Sequence, residues 1–301
     1  MNAKSMMYLH NAARMVLVAA VLLLGAGSAA AADFSRGLLW KIEPPGAPPS
    51  YLFGTMHSED PAVVHLPGPV RRAFDSAQGV TLEVTLDATS LVSMTSAFML
   101  SDGSTLESHV GKPLYRQAVK AMAGYGMPEM MVSGMKPWAV AVTLMTPPGK
   151  TGMVLDLLLY QQALSAGKPV DGLETPMEQM SVFDTLPEKD QILMLKDTLD
   201  NLDGVKRMLD RLKSAYLARD LDRLVAVSEA SMASLHESDP ESARRFNEKL
   251  ITERNHRMAE RLRERLQRGR QFIAVGALHL PGEDGLLELL SRQGYRVTVV
   301  Y

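Results

Sequence analysis

The chain has 301 residues, 46% of them hydrophobic and 22% charged, with a formal net charge of −2 and no cysteine. That is enough material for one large domain or two small ones, each with a core. The near-neutral charge gives no reason to expect nucleic acid as a partner, and the missing cysteine excludes disulfides and a lipid-carrying cysteine anchor.

Residues 1–32 read as a signal peptide. Lys4 and Arg14 are the only charges before Asp33, the apolar run "MVLVAAVLLLGA" follows, and "GSAAAAD" supplies a small-residue cleavage site. The run is short for a membrane span, which needs about 20 apolar residues. Cleavage is expected near Ala32, leaving residues 33–301 with no stable membrane anchor. Export without cysteine points to a bacterial periplasm, because secreted eukaryotic proteins more often carry disulfides.

"GLLWKIEPP" (37–45) and "PSYLFG" (49–54) read as two strands of a hairpin. A proline-led helix is expected over 67–78. Over 79–86 the alternation predicts a strand with Val80, Leu82, Val84 and Leu86 on one face and Glu83 on the other. The middle is mostly helical: a helix within 151–167 stopped by Gly167, a short strand "KPVDGLE" (168–174), a helix N-capped by Thr175, amphipathic helices over 187–235, and one long helix over 241–268. Strand 272–279, a helix over 283–294 and strand 295–301 close the chain. The fold class expected is α/β: a pseudo-symmetric mixed sheet built from both ends of the chain, with a large helical insertion at about 88–268.

Two stretches make the same move. In "SYLFGTMH" and "FIAVGALH" an apolar run ends at a glycine, Gly54 or Gly276, and a histidine follows three residues later, His57 or His279. An acidic, proline-containing loop leading to a helix comes after each. Ligand sites in α/β sheets form where strands end and loops turn into helices. If the two turns are neighbours, His57 and His279 with Glu83 form a ligand set for a divalent metal. The plainer alternative is that each histidine caps a helix or bonds its own loop. His65, His109 and His236 read as surface residues. Glu174, at a strand end, reads as a general base or a partner for a histidine, or else as a capping carboxylate. In the long helix Arg254 shares an apolar stripe with Phe246, Leu250, Met258 and Leu262, with Asn255 beside it. A charge there needs a partner, Glu83, Glu174 or a substrate carbonyl, unless it snorkels to solvent.

Taken together, "YLFGTMH", "LEV", "GKPVDGLETPMEQ", "ERN" and "AVGALHLPGEDGLL" followed by "GYRV" resemble the TraB/GumN family, whose relatives include the TIKI metalloproteases. The resemblance covers about residues 34–301. It implies a pseudo-symmetric α/β fold with Gly54/His57 and Gly276/His279 as paired motifs and, in the TIKI branch, metal-dependent peptide cleavage. The reading that follows is an exported hydrolase acting on peptides or proteins, with manganese, cobalt or zinc held by His57, His279 and Glu83. The ion lowers the pKa of an attacking water, Glu174 accepts the proton unless the two glutamates exchange roles, and Arg254 and Asn255 steady the oxyanion. Two other readings compete: a non-catalytic periplasmic binding protein for a peptide, metal or haem-like ligand, and an interaction module of an envelope assembly.

Overall fold

The computed structural model describes residues 33–85, 87–149, 151–235 and 240–301. The expected signal peptide, Leu86 and His236 lie outside them. The strand-like runs form β1 (Leu39–Glu43), β2 (Ser50–Thr55), β3 (Gly79–Val84), β4 (Val170–Glu174), β5 (Gln271–Gly276) and β6 (Arg296–Val299). They make one mixed sheet in the order β4-β3-β5-β2-β1-β6. β1 and β2 are the expected antiparallel hairpin, and β6 runs antiparallel on the outer side of β1. β2, β5, β3 and β4 are mutually parallel, so the two ends of the chain interleave at the centre of the sheet.

Centrality changes what the strands bury. Phe272, Ile273, Ala274 and Val275 of β5 are all fully buried, and in β3 Thr81 is buried along with Val80 and Leu82. The one-sided alternation expected for β3 is therefore incomplete, because a parallel strand between two neighbours is covered on both faces. Trp40, Phe53, Phe74 and Phe272 fill the sheet's core, with Phe53–Phe272 and Phe74–Phe272 ring contacts at 5.9 and 5.3 Å. Each such side chain contributes about 1.5–3 kcal/mol of burial.

Helices occupy most of residues 88–165 and 176–268, and they build a second core around Leu106, Met122, Trp138 and Leu195. An aromatic series, Phe98–Trp138–Phe183–Phe246, runs through it with centroid spacings of 5.1, 5.2 and 5.7 Å. Two expected elements differ. The strand read as 272–279 stops at Gly276, and Ala277–His279 is a 3₁₀ turn. The long helix is interrupted by a π-helical turn at Glu248–Thr252, between helices Pro240–Asn247 and Glu253–Arg268.

Candidate functional site

The carboxyl ends of the four parallel strands share one edge of the sheet. The register pairs Thr55 with Gly276 and Val84 with Glu174, so the two Gly-x-x-His turns leave adjacent strands side by side. The turns pack on each other. A Cβ at Gly54 would stand 2.7 Å from Leu280 Cδ1 and 3.1 Å from Ala277 Cα, so the second turn needs a glycine under it. At Gly276 the backbone serves directly: its N–H donates to Glu83 Oε2 at 3.0 Å.

Behind the turns lies a charged network. Arg254, on helix Glu253–Arg268, is buried and donates from Nε and Nη2 to Glu174 Oε2 at 2.9 and 2.7 Å. Its Nη2 also donates to Glu83 Oε1. The side chain of Glu174 is fully enclosed, and its other oxygen accepts from Arg257 Nη2 at 2.7 Å. Gln179 Nε2, on helix Pro176–Asp184, donates to Glu83 Oε1 at 2.6 Å. Burial works against ionisation of Glu83. The Arg254 charge and the Gly276 N–H, joined by the His279 charge when that ring is protonated, outweigh it and hold the pKa below the ordinary carboxylate range. A buried arginine between two carboxylates bonds to both, and removing it leaves the pair without their shared cation.

His279 is buried, with Nδ1 2.7 Å from Asn255 Oδ1. Asn255 Nδ2 donates at 2.7 Å to the Asp284 carbonyl, which only accepts. The amide's oxygen must then face the imidazole, Nδ1 carries the proton, and the lone pair sits on Nε2. That nitrogen faces Glu83 Oε2 at 3.9 Å. Burial lowers the pKa of His279, with the Glu83 charge opposing, so the ring is held neutral. His57 has a parallel but looser arrangement. Its Nδ1 lies 3.7 Å from Asp156 Oδ2, Asp156 Oδ1 accepts from Thr55 Oγ1 at 2.7 Å, and the imidazole is 68% exposed. The Asp156 carboxylate raises its pKa against the effect of burial, and the Glu83 charge adds to the rise.

Residues 38–299 match the model of the TraB/PrgY/gumN family. The chain belongs to that family. Among curated proteins it is similar to "Metalloprotease TIKI2" of Danio rerio, 26% identical over 87% of this chain and 60% of that protein. "Metalloprotease TIKI1" of Homo sapiens is 25% identical over 87% and 61%. "Uncharacterized protein YbaP" of Shigella flexneri is 26% identical over 82% and 89%. The chain thus spans about three fifths of the length of these metalloproteases. No solved structure gives a significant match.

In this family member the expected residues divide. Glu83, Glu174, Arg254 and Gly276 are joined by direct hydrogen bonds, Asn255 and His279 form a second bonded pair whose imidazole stands 3.9 Å from Glu83, and His57 lies at the exposed margin. Glu174, expected as a proton acceptor, has both oxygens engaged by arginines, and Asn255, expected at an oxyanion, is buried between His279 and Asp284. His65 is exposed, as expected, but His109 is half-buried between Ser104 Oγ at 2.7 Å and Glu188 Oε1 at 2.5 Å; His256 is exposed as well. Gln179, Arg257 and Asp156 were not singled out. Gln179 ends the quoted "GLETPMEQ", Arg257 is one turn from Arg254, and Asp156 is the lone charge in "MVLDLLLY".

Among the described residues no three His, Asp or Glu side chains are arranged to hold a metal ion, so the expected trio does not form a preassembled ligand set. The donor chemistry of its inner pair does suit one. An unprotonated nitrogen and an ionised oxygen 3.9 Å apart fall within the span of two metal–ligand bonds of about 2 Å each. No helix among the described residues is long and apolar enough to cross a membrane.

Proposed function

We propose that the chain is an exported metal-dependent hydrolase that cleaves peptide bonds, with His279, Glu83 and His57 as the residues that would hold a manganese, cobalt or zinc ion. The observation that carries this reading is the pairing of His279 Nε2, left unprotonated by Asn255, with Glu83 Oε2, kept ionised by its neighbours. The names of the TIKI relatives support it. A divalent ion in such a site lowers the pKa of a water ligand toward neutrality and polarises a carbonyl oxygen.

The chain's own groups have separate tasks. Asn255 fixes the His279 tautomer, and Glu174 with Arg257 fixes Arg254. Arg254 then holds Glu83 and keeps positive charge beside the place where a carbonyl oxygen becomes anionic. His57, exposed at the margin of the pair, closes on it from the solvent side when its imidazole is unprotonated. Residues 1–32 direct export, to a bacterial periplasm.

The test is direct. The purified protein is incubated with manganese, cobalt or zinc and a peptide library, and products are read by mass spectrometry. Cleavage that His279→Ala and His57→Ala each abolish supports the proposal. The second reading, a non-catalytic binding protein for a peptide, metal or haem-like ligand, is favoured by the lack of a preassembled trio. Tight retention of ligand without turnover under every metal decides for it.

A further inference from the structure

Glu83 is held asymmetrically. A carboxylate offers about four lone-pair positions, two on each oxygen. Oε1 accepts from both Gln179 Nε2, at 2.6 Å, and Arg254 Nη2, so its positions are filled. Among the described residues Oε2 accepts from the Gly276 N–H alone, at 3.0 Å, and its remaining position lies on the side of His279 Nε2. The donor on Oε1 that adds no charge is Gln179. Its helix, Pro176–Asp184, is fixed at the start by a reciprocal capping box between Thr175 and Glu178, and Glu178 is gripped by both terminal nitrogens of Arg261 at 2.9 and 2.6 Å. The amide therefore arrives at Glu83 from a clamped first turn.

We infer that Gln179 is a positioning residue that selects the working oxygen of this site: it closes Oε1 and leaves Oε2 of Glu83 as the single oxygen that takes up a divalent cation, one-handed, beside His279. This rests on the metal reading above and adds to it a mode of ligation and a residue. A neutral amide suits the task, since a second cation on Oε1 would compete with the metal for the carboxylate's charge. Removing it frees Oε1 and lets the carboxylate rotate about the Gly276 and Arg254 contacts. Partners that orient a ligand in this way are worth roughly 10–100-fold in metal affinity.

The test compares wild type with Gln179→Leu, similar in bulk but without the donor, and Gln179→Asn, too short by one methylene. Manganese affinity is measured by calorimetry, the visible spectrum is recorded with cobalt, and circular dichroism reports folding. Both variants are expected to stay folded, bind manganese about 10–100-fold more weakly and show an altered cobalt spectrum, which a purely structural helix contact would not produce. Unchanged affinity and spectrum in a folded Gln179→Leu or Gln179→Asn protein overturn the assignment while leaving the metal reading intact. A manganese-loaded structure with both Glu83 oxygens on the ion does the same. Wild type that binds none of the three metals overturns the metal reading and the assignment with it.

Discussion

A methyl group added at Gly54 meets Leu280 Cδ1 at 2.7 Å and Ala277 Cα at 3.1 Å, whereas one added at Gly276 meets only Glu83 Oε2 and His279 Cδ2, each at 3.5 Å. Neither glycine has a positive φ, so close approach alone separates them. Gly54→Ala is expected to lose about 1–3 kcal/mol in urea unfolding through overpacking. Gly276→Ala should stay within about 0.5 kcal/mol of wild type and yet, on the proposed function, weaken manganese binding, since its methyl enters the gap between Glu83 and His279. Asn255→Leu leaves the buried His279 Nδ1–H without its partner. A loss of about 1–3 kcal/mol is expected by the same measurement, and an unchanged midpoint would sink the tautomer argument. At this scale the sequence shows candidate residues: a glycine at a strand end and a histidine three later are visible as types in a pattern. What each one touches is not visible. The fit of Leu280 on Gly54 and the seat of Asp156 beside His57 join residues distant in the chain, and nothing local to either announces them.

The helix Pro176–Asp184 shows the same division between local and distant chemistry. Its start is legible in "ETPMEQ", because a threonine cap followed by proline and then glutamate satisfies the first backbone N–H groups from nearby side chains. The grip of Arg261 on Glu178 is not, since it comes from a helix 83 residues away. That grip gives a pH prediction. The Arg261 hydrogen bonds hold Glu178 at about 2, below its ordinary 4.5, with burial opposing. A depressed carboxylate pKa stabilises the folded state fully above the unfolded value and loses that contribution as pH falls from about 4.5 toward 2. With allowance for a side chain 31% exposed, the contribution is about 1–2 kcal/mol. Urea unfolding of wild type and Glu178→Gln should therefore differ by this amount at pH 6 and converge near pH 2. A constant gap across the range would refute it. The π turn at Glu248–Thr252 escaped the sequence because one widened turn leaves the apolar spacing around it nearly unchanged. It stands directly before Arg254, where an altered helical register sets the angle at which the guanidinium reaches Glu83 and Glu174.

At the scale of the whole molecule, a mixed sheet drawn from both ends of the chain was legible from the strand-like runs and their turns. The strand order was not, because placing β5 between β2 and β3 depends on contacts across nearly the whole sequence. Nor was the presence of two cores, and here the chain supplies its own reporters. It has two tryptophans: Trp40 is buried in the sheet core and Trp138 in the helical one. The cores meet around the charged site. Gln179 and Met180 are adjacent on one helix, the first bonded to Glu83 of the sheet and the second packed in the helical core. Phe183 of that helix touches Phe246, which precedes the helix bearing Arg254. Residues Phe34–Tyr301 accordingly form one compact unit. Trp40→Phe and Trp138→Phe each leave a single fluorophore in one core, and in each variant the fluorescence and far-UV circular dichroism transitions in urea are expected to coincide, as two-state unfolding requires. Arg254→Met then strips the shared cation from Glu83 and Glu174, at a cost of about 3–5 kcal/mol for breaking a buried pair. In that background both midpoints should fall and separate, because the bond between helix and sheet at Glu83 loses the charge that holds the carboxylate in place. Separate transitions before the arginine is replaced would mean that the cores fold independently and that the site is not what couples them.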